Sequence, residues 1–182
     1  MLLASPPDDA QTAAVTTREA RPEDAPLVHR IYLSTPGYFD IISIPIPTLA
    51  EVSTDLETAA EDQRRHAELV LVEREAAGEV DPAIVDPVTD RLVVGYLDYK
   101  LDYPEPGDAT VNLLLVLPSV QSRGIGGACA RDLERRLAGR SRRMLASIFG
   151  DNPRARRFWE RLGFSFAIDA KPHLDWYAKN LA

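Results

Sequence analysis

Apolar positions fall into strand-length runs along much of the chain and change to a helical period in four places. Val15 to Ala20 alternates well enough for a first strand. Arg21-Pro22-Glu23-Asp24 then reads as a helix start, with proline in the first turn, acids near the positive pole, and Leu27, Val28, Ile31 and Tyr32 on the inner face. Thr48 opens a second helix running to Asp62, with Glu51 at capping-box spacing. Glu68–Glu75 and Leu92–Leu101 are strands rich in Val, Leu and Tyr. Ala76 to Asp90, with Gly78, Pro82 and Pro87, makes a long hairpin connection between them. Asp102–Asp108, with Pro104, Pro106 and Gly107, is the next turn.

Ala109 to Leu117 is a further strand, and Ile125, Cys129, Leu133 and Leu137 mark one face of a third helix. Arg143–Phe149 is a strand and Asn152–Leu162 a fourth helix, which Gly163 ends in a left-handed conformation. Phe158 and Leu162 are read as core. Phe164–Ile168 and Leu174–Lys179 form a closing strand pair. The predicted order is β-α-α-β-β-β-α-β-α-β-β, an α/β chain with a mixed sheet and no internal repeat. Thr35 to Pro47 fits neither period: Pro36, Gly37, Pro45 and Pro47 predict a loop between the first two helices. Yet Tyr38, Phe39, Ile41, Ile42, Ile44 and Ile46 are apolar, which is odd for a solvated loop.

A chain of 182 residues suits one domain, placed at 15–182 behind a flexible tail at 1–14. The tail has Leu2 and Leu3 but no cationic start, and Pro6, Pro7, Asp8 and Asp9 follow. It does not read as a signal peptide. No apolar run approaches the ~20 residues that span a bilayer, so the expectation is a cytoplasmic protein with no membrane partner. A single cysteine excludes an internal disulfide, and its place on the inner helix face makes Cys129 a small buried hydrophobe. His29, His66 and His173 lack metal-ligand spacing, and no metal is expected.

The most informative stretch is Gln121-Ser122-Arg123-Gly124-Ile125-Gly126-Gly127. A buried strand runs into it and a helix begins within it. That places unpaired backbone N–H groups and the positive end of a helix dipole together, an arrangement suited to a phosphate. Glycines at 124, 126 and 127 let a ligand approach the main chain without meeting Cβ atoms. Charge is distributed accordingly: from Pro118 to Arg161 there are eleven arginines and four acids, inside a chain of net −7. The acidic remainder attracts a cationic amine and repels nucleic acid.

No Gly-Lys-Ser/Thr follows at P-loop spacing, and the third glycine of a dinucleotide fingerprint is replaced by Cys129. What fits is Gln/Arg-x-x-Gly-x-Gly/Ala, the acetyl-coenzyme A signature of the GCN5-related N-acetyltransferase (GNAT) family. Asn152-Pro153-Arg154-Ala155-Arg156-Arg157-Phe158-Trp159-Glu160-Arg161-Leu162-Gly163-Phe164 is similar to that family's second signature. The chain resembles the family closely from Val111 to Phe164, and in element order from Val15 to Lys100.

The resemblance implies a GNAT-like fold: a mixed sheet of about six or seven strands, splayed between the fourth and fifth, with about four flanking helices. It implies acetyl-coenzyme A as cosubstrate. The pantetheine arm would lie on main-chain groups near Leu115, Val116 and Leu117 and on Asn152, the pyrophosphate on Gln121 to Gly127, and the thiol beside Trp159. It implies direct attack by a primary amine, of a small molecule or a protein, in a ternary complex. Two departures stand out: Trp159 occupies the place of the family's tyrosine acid, and Asn112 that of its glutamate base. Asn112, Asp98, Tyr96 and Tyr99 are therefore the candidates for contact with the amine or its proton relay. Tyr38 and Phe39 fall where the family builds its acceptor site, although the same apolar segment equally fits a homodimer contact. Two other readings stay open: a coenzyme A-binding module without chemistry, and an unrelated phosphate-binding α/β protein.

Overall fold

Among the described residues, seven strands form one mixed sheet: β1 (Thr16–Glu19), β2 (Arg65–Val72), β3 (Leu92–Leu101), β4 (Asp108–Val116), β5 (Arg143–Phe149), β6 (Ser165–Lys171) and β7 (Leu174–Asn180). The computed structural model describes residues 15–77, 84–171 and 174–181. The tail at 1–14, Gly78 and Pro82 of the hairpin connection, and His173 lie outside them. Strand order is β1-β2-β3-β4-β5-β7-β6. Neighbours are antiparallel except β4 and β5, which run parallel. The helices are α1 (Ala25–Ser34), α2 (Pro36–Ile42), α3 (Leu49–Glu61), α4 (Arg74–Ala77), α5 (Ile125–Leu137) and α6 (Pro153–Arg161), with 3-10 turns at Pro22–Asp24 and Pro118–Val120. None of the described helices is long and apolar enough to cross a membrane.

Three readings of the sequence need correction. The segment expected as a loop contains α2, because Pro36 sits in the first helical turn, where a missing N–H costs nothing, and Ser43 closes the helix in a left-handed conformation. Strand β2 begins at Arg65 rather than Glu68 and stops at Val72, and Arg74–Ala77 is helical. Its polar start is held by ion pairs: Arg65 bonds both Asp55 and Asp98.

Helices cover both faces of the sheet. Tyr96 and Asp98 of β3 share one face, where Tyr96 meets Tyr32 of α1 edge-on and Asp98 meets the Arg65–Asp55 pair that ties in α3. Tyr99 points the other way. Its hydroxyl donates to Glu68, which is held by Arg136 of α5. The face of α5 predicted from the sequence is the buried one, with Ile125, Cys129, Leu133 and Leu137 all inside.

Two irregularities shape the centre. Asp98 lies opposite Leu113 and Tyr99 opposite Val111, so Asn112 bulges out of the β3–β4 register. The parallel β4–β5 pairing begins at Asp108–Arg143 and ends at Val111–Ala146, although both strands continue. Beyond that point the two strands part, as the resemblance implies.

Candidate active site

The parting of β4 and β5 opens a cavity of about 1040 Å³ that passes between the helices of both faces. On one side it is lined by the loop after β4 and by α5 and α6, on the other by the end of α1 and by α2. The loop follows from local chemistry. Pro118 starts a 3-10 turn, Ser122 takes φ 62°, and Gly124 takes φ 80° immediately before the first residue of α5. A left-handed φ suits glycine at 124, and no side chain caps the helix that begins there. Gly124, Ile125, Gly126 and Gly127 all line the cavity.

Gln121 braces this loop. Its Nε2 donates to the Val116 carbonyl at 2.7 Å, while its Oε1 accepts from Arg154 of α6 at 2.7 Å. Space at Gly126 is not demanded by the protein's own packing. A methyl group there would sit 3.4 Å from the Phe158 ring and 3.7 Å from Val116, ordinary contacts. The room above the first turn of α5 thus suits a ligand, and the donor set fits an anion. Arg131, Arg154 and Arg161 add positive charge to the lining.

Of the residues singled out from sequence, the cavity gathers Tyr38, Asn112, Leu115, Val116, Gln121, Ser122, Asn152 and Trp159 together with positions 124 to 127. Leu117 and Arg123 are not part of its lining. Phe39 is buried behind Tyr38, packed edge-on between the rings of Tyr32 and Tyr38. Tyr96, Asp98 and Tyr99 are buried in the sheet and do not reach the cavity. Asn152 accepts from the Ala155 N–H at 2.9 Å as the N-cap of α6, and still faces the cavity. Trp159, only 5% exposed, packs between Phe158 and Phe164.

Other lining groups were missed by the sequence reading. Phe158 and Leu162, expected as core, face the cavity. Ser147 and Phe149 line it because β5 leaves β4, and Ile41 does so through α2. The implied splay would have pointed to Ser147 and Phe149. Ile41 lies in the apolar segment that the resemblance sets at the acceptor site, whereas Phe158 and Leu162, at the helical spacing of core residues, carry no such signal.

Asn112 joins the cavity to an ionic network centred on the buried Asp98. Its Nδ2 donates to Asp98 Oδ1 at 2.8 Å, and Arg65 Nε donates to the other Asp98 oxygen at 2.8 Å. Arg65 also makes a two-pronged contact with Asp55 at 2.8 Å on each prong. Burial pushes the Asp98 carboxyl above the usual carboxylate range, against the pull of Arg65 and Asn112. Burial likewise lifts the Tyr38 phenol to about 12, so it stays neutral at physiological pH.

Comparison with known proteins agrees with this geometry. A crystal structure of an acetyltransferase from Thermus thermophilus is 35% identical, with a TM-score of 0.78 over 92% of this chain and 97% of that one. An aminoglycoside acetyltransferase in complex with coenzyme A shares the fold at 17% identity, with a TM-score of 0.70 over 92% of this chain and 95% of that one. So does spermidine N-acetyltransferase from Vibrio cholerae, in complex with coenzyme A and spermine, at 12% identity and a TM-score of 0.67 over 91% and 95% of the two chains. Comparison with curated proteins returns no significant match. The acetyltransferase (GNAT) family model matches residues 46–164, which take in both signatures, the bulge at Asn112 and the parting strands. The chain is a member of the GNAT acetyltransferase family.

Proposed function

We propose that the protein transfers an acetyl group from acetyl-coenzyme A to a primary amine by direct attack in a ternary complex. The observation that carries this reading is the uncapped N-terminus of α5 opening into the gap between β4 and β5. Peptide N–H groups from Gln121 to Gly127 would hold the diphosphate. The open edges beside Leu115 and Val116, with Asn152, would pair with the amide groups of the pantetheine arm. Trp159 would pack beside the thioester.

In the reaction the amine nitrogen bonds to the acetyl carbon, the carbon–sulfur bond breaks, and the proton lost by nitrogen ends on the departing thiolate or on water. Positioning supplies most of the acceleration, and a main-chain N–H near Val116 would meet charge developing on the acetyl oxygen. Tryptophan at 159 cannot replace a tyrosine as proton donor, and Asn112 cannot serve as a base. The same two residues favour a second reading, a domain that holds coenzyme A without turning it over.

Calorimetric titration with coenzyme A, ATP and NAD tests the ligand, with tight binding expected for coenzyme A alone. Release of free thiol from acetyl-coenzyme A in the presence of an amine panel separates the enzyme from the binding module.

A further inference from the structure

The acceptor side of the cavity holds an unusual set of groups for a site that takes an amine. No Asp or Glu is among the described residues that line the cavity, whereas Arg131, Arg154 and Arg161 are. The acceptor side is formed by Tyr38 and Ile41 of α2, Asn112 and Leu113 of β4, and Phe149 of β5. All five are uncharged. The nearest carboxylate on the other side of Asn112 is Asp98, which is 3% exposed and already shared by Arg65 and Asn112.

Three hydroxyls of the lining are already engaged, those of Ser34, Thr35 and Ser147. Ser34 Oγ donates to the Arg30 carbonyl and Thr35 Oγ1 to the Ile31 carbonyl, both at 2.9 Å. Ser147 Oγ accepts from Trp176 Nε1 at 3.1 Å. Asn112 Nδ2 is taken by Asp98, which turns Oδ1 of the same amide into the free acceptor. One amide oxygen and a few hydroxyl lone pairs suit the N–H groups of a neutral amine. They do not balance a buried ammonium, and still less a second one, because desolvating an unpaired charge is costly. The net charge of −7 draws cations from solution, but the wall offers no counter-ion to seat them.

Resting on the acetyl-transfer reading above, we propose that the acceptor is a primary monoamine carried on an uncharged, apolar body, and that polycationic amines are poor ligands of this site. The ring faces and methyl groups of Tyr38, Ile41, Leu113 and Phe149 take the apolar body. Asn112 Oδ1 receives one N–H of the attacking nitrogen. No carboxylate strips the proton, so the nitrogen enters in its neutral form.

The test is a calorimetric titration of the coenzyme A-saturated protein with 2-phenylethylamine and with spermidine, followed by thiol release with the same two amines and acetyl-coenzyme A. 2-Phenylethylamine is expected to bind at least about tenfold more tightly. In Ile41→Glu, which adds a carboxylate at a position already 40% exposed, the preference should shift toward spermidine by a similar factor. Spermidine binding as tightly as 2-phenylethylamine, no binding of 2-phenylethylamine, or an unchanged ratio in Ile41→Glu overturns the inference. Failure of coenzyme A itself to bind in the first step is a separate result: it removes the acetyl-transfer reading and this inference with it. Binding of the expected amine without thiol release upholds the preference and overturns only the claim of turnover.

Discussion

The side-chain amide of Asn112 donates to the carboxylate of Asp98 across 2.8 Å, fixing which end of that amide faces the cavity. In Asn112→Ala, kcat/KM should fall by about 10- to 100-fold, while coenzyme A affinity stays unchanged. Steady-state kinetics beside calorimetry checks this. An unaltered kcat/KM would remove Asn112 from the site. Asp98→Ala should instead lower stability by about 1–3 kcal/mol, read by urea unfolding, because it leaves the half-buried Arg65 with Asp55 alone and Asn112 without its acceptor.

Gly124→Glu places a β-carbon on a residue at φ 80° and a negative charge in the phosphate loop. Strain of about 1–2 kcal/mol is expected in thermal unfolding. Coenzyme A affinity should drop by at least about tenfold, or roughly 1.4 kcal/mol. Wild-type affinity in this variant would contradict the whole assignment of the loop.

Gly150, at φ 64°, lets α2 approach the turn after β5: a methyl group there would lie 2.6 Å from the Ile41 carbonyl. Gly150→Ala must push α2 outward. A stability loss of about 1–3 kcal/mol is expected, with KM for the amine changed and that for acetyl-coenzyme A preserved. Equal changes in both KM values would show that α2 does not border the acceptor side alone.

Acid stability should depend on Asp86, which is fully buried. Burial would raise this carboxyl, but bonds from Arg18, Thr89 and the Val88 N–H outweigh it and hold it at about 2. A lowered value means stability that is complete above about pH 4 and is lost as pH falls toward 2. Asp86→Asn should lower stability at neutral pH by about 1–3 kcal/mol and flatten the acid limb of the stability curve. A parallel shift of the curve, with the slope between pH 4 and 2 retained, would rule Asp86 out as its source.

Cys129 is 0% exposed, and burial pushes its thiol up to about 12. A thiol reagent at pH 8 should label it only after denaturant is added. Labelling of the native protein at the rate of free cysteine would mean that α5 opens readily.

Much of this was legible in the sequence, for identifiable reasons. The loop at Gln121–Gly127 and the cap at Asn152 are local features, set by residues close in the chain. The period of α5 gave its buried face directly. What stayed hidden depends on distant partners. The bulge at Asn112 is a slip between two strands, and nothing in the composition of β4 announces it. The start of β2 was misplaced because Arg65 looks like a surface residue until Asp98 and Asp55 are brought beside it. Helix α2 was hidden by Pro36 and Gly37, which break a helix in its middle but not in its first turn. Several arginines after Pro118 turned out to serve the scaffold: Arg136 holds Glu68, and Arg143 holds Asp108.

The early end of pairing between β4 and β5 leaves the sheet an unfinished ladder. Peptide groups past Val111 and Ala146 lack the cross-strand partners that other central strands give each other, so their amide protons should exchange fastest among the central strands. A molecule that supplies the absent rungs would slow that exchange and raise the melting temperature together. The weakest seam of the scaffold and its working cleft are the same place.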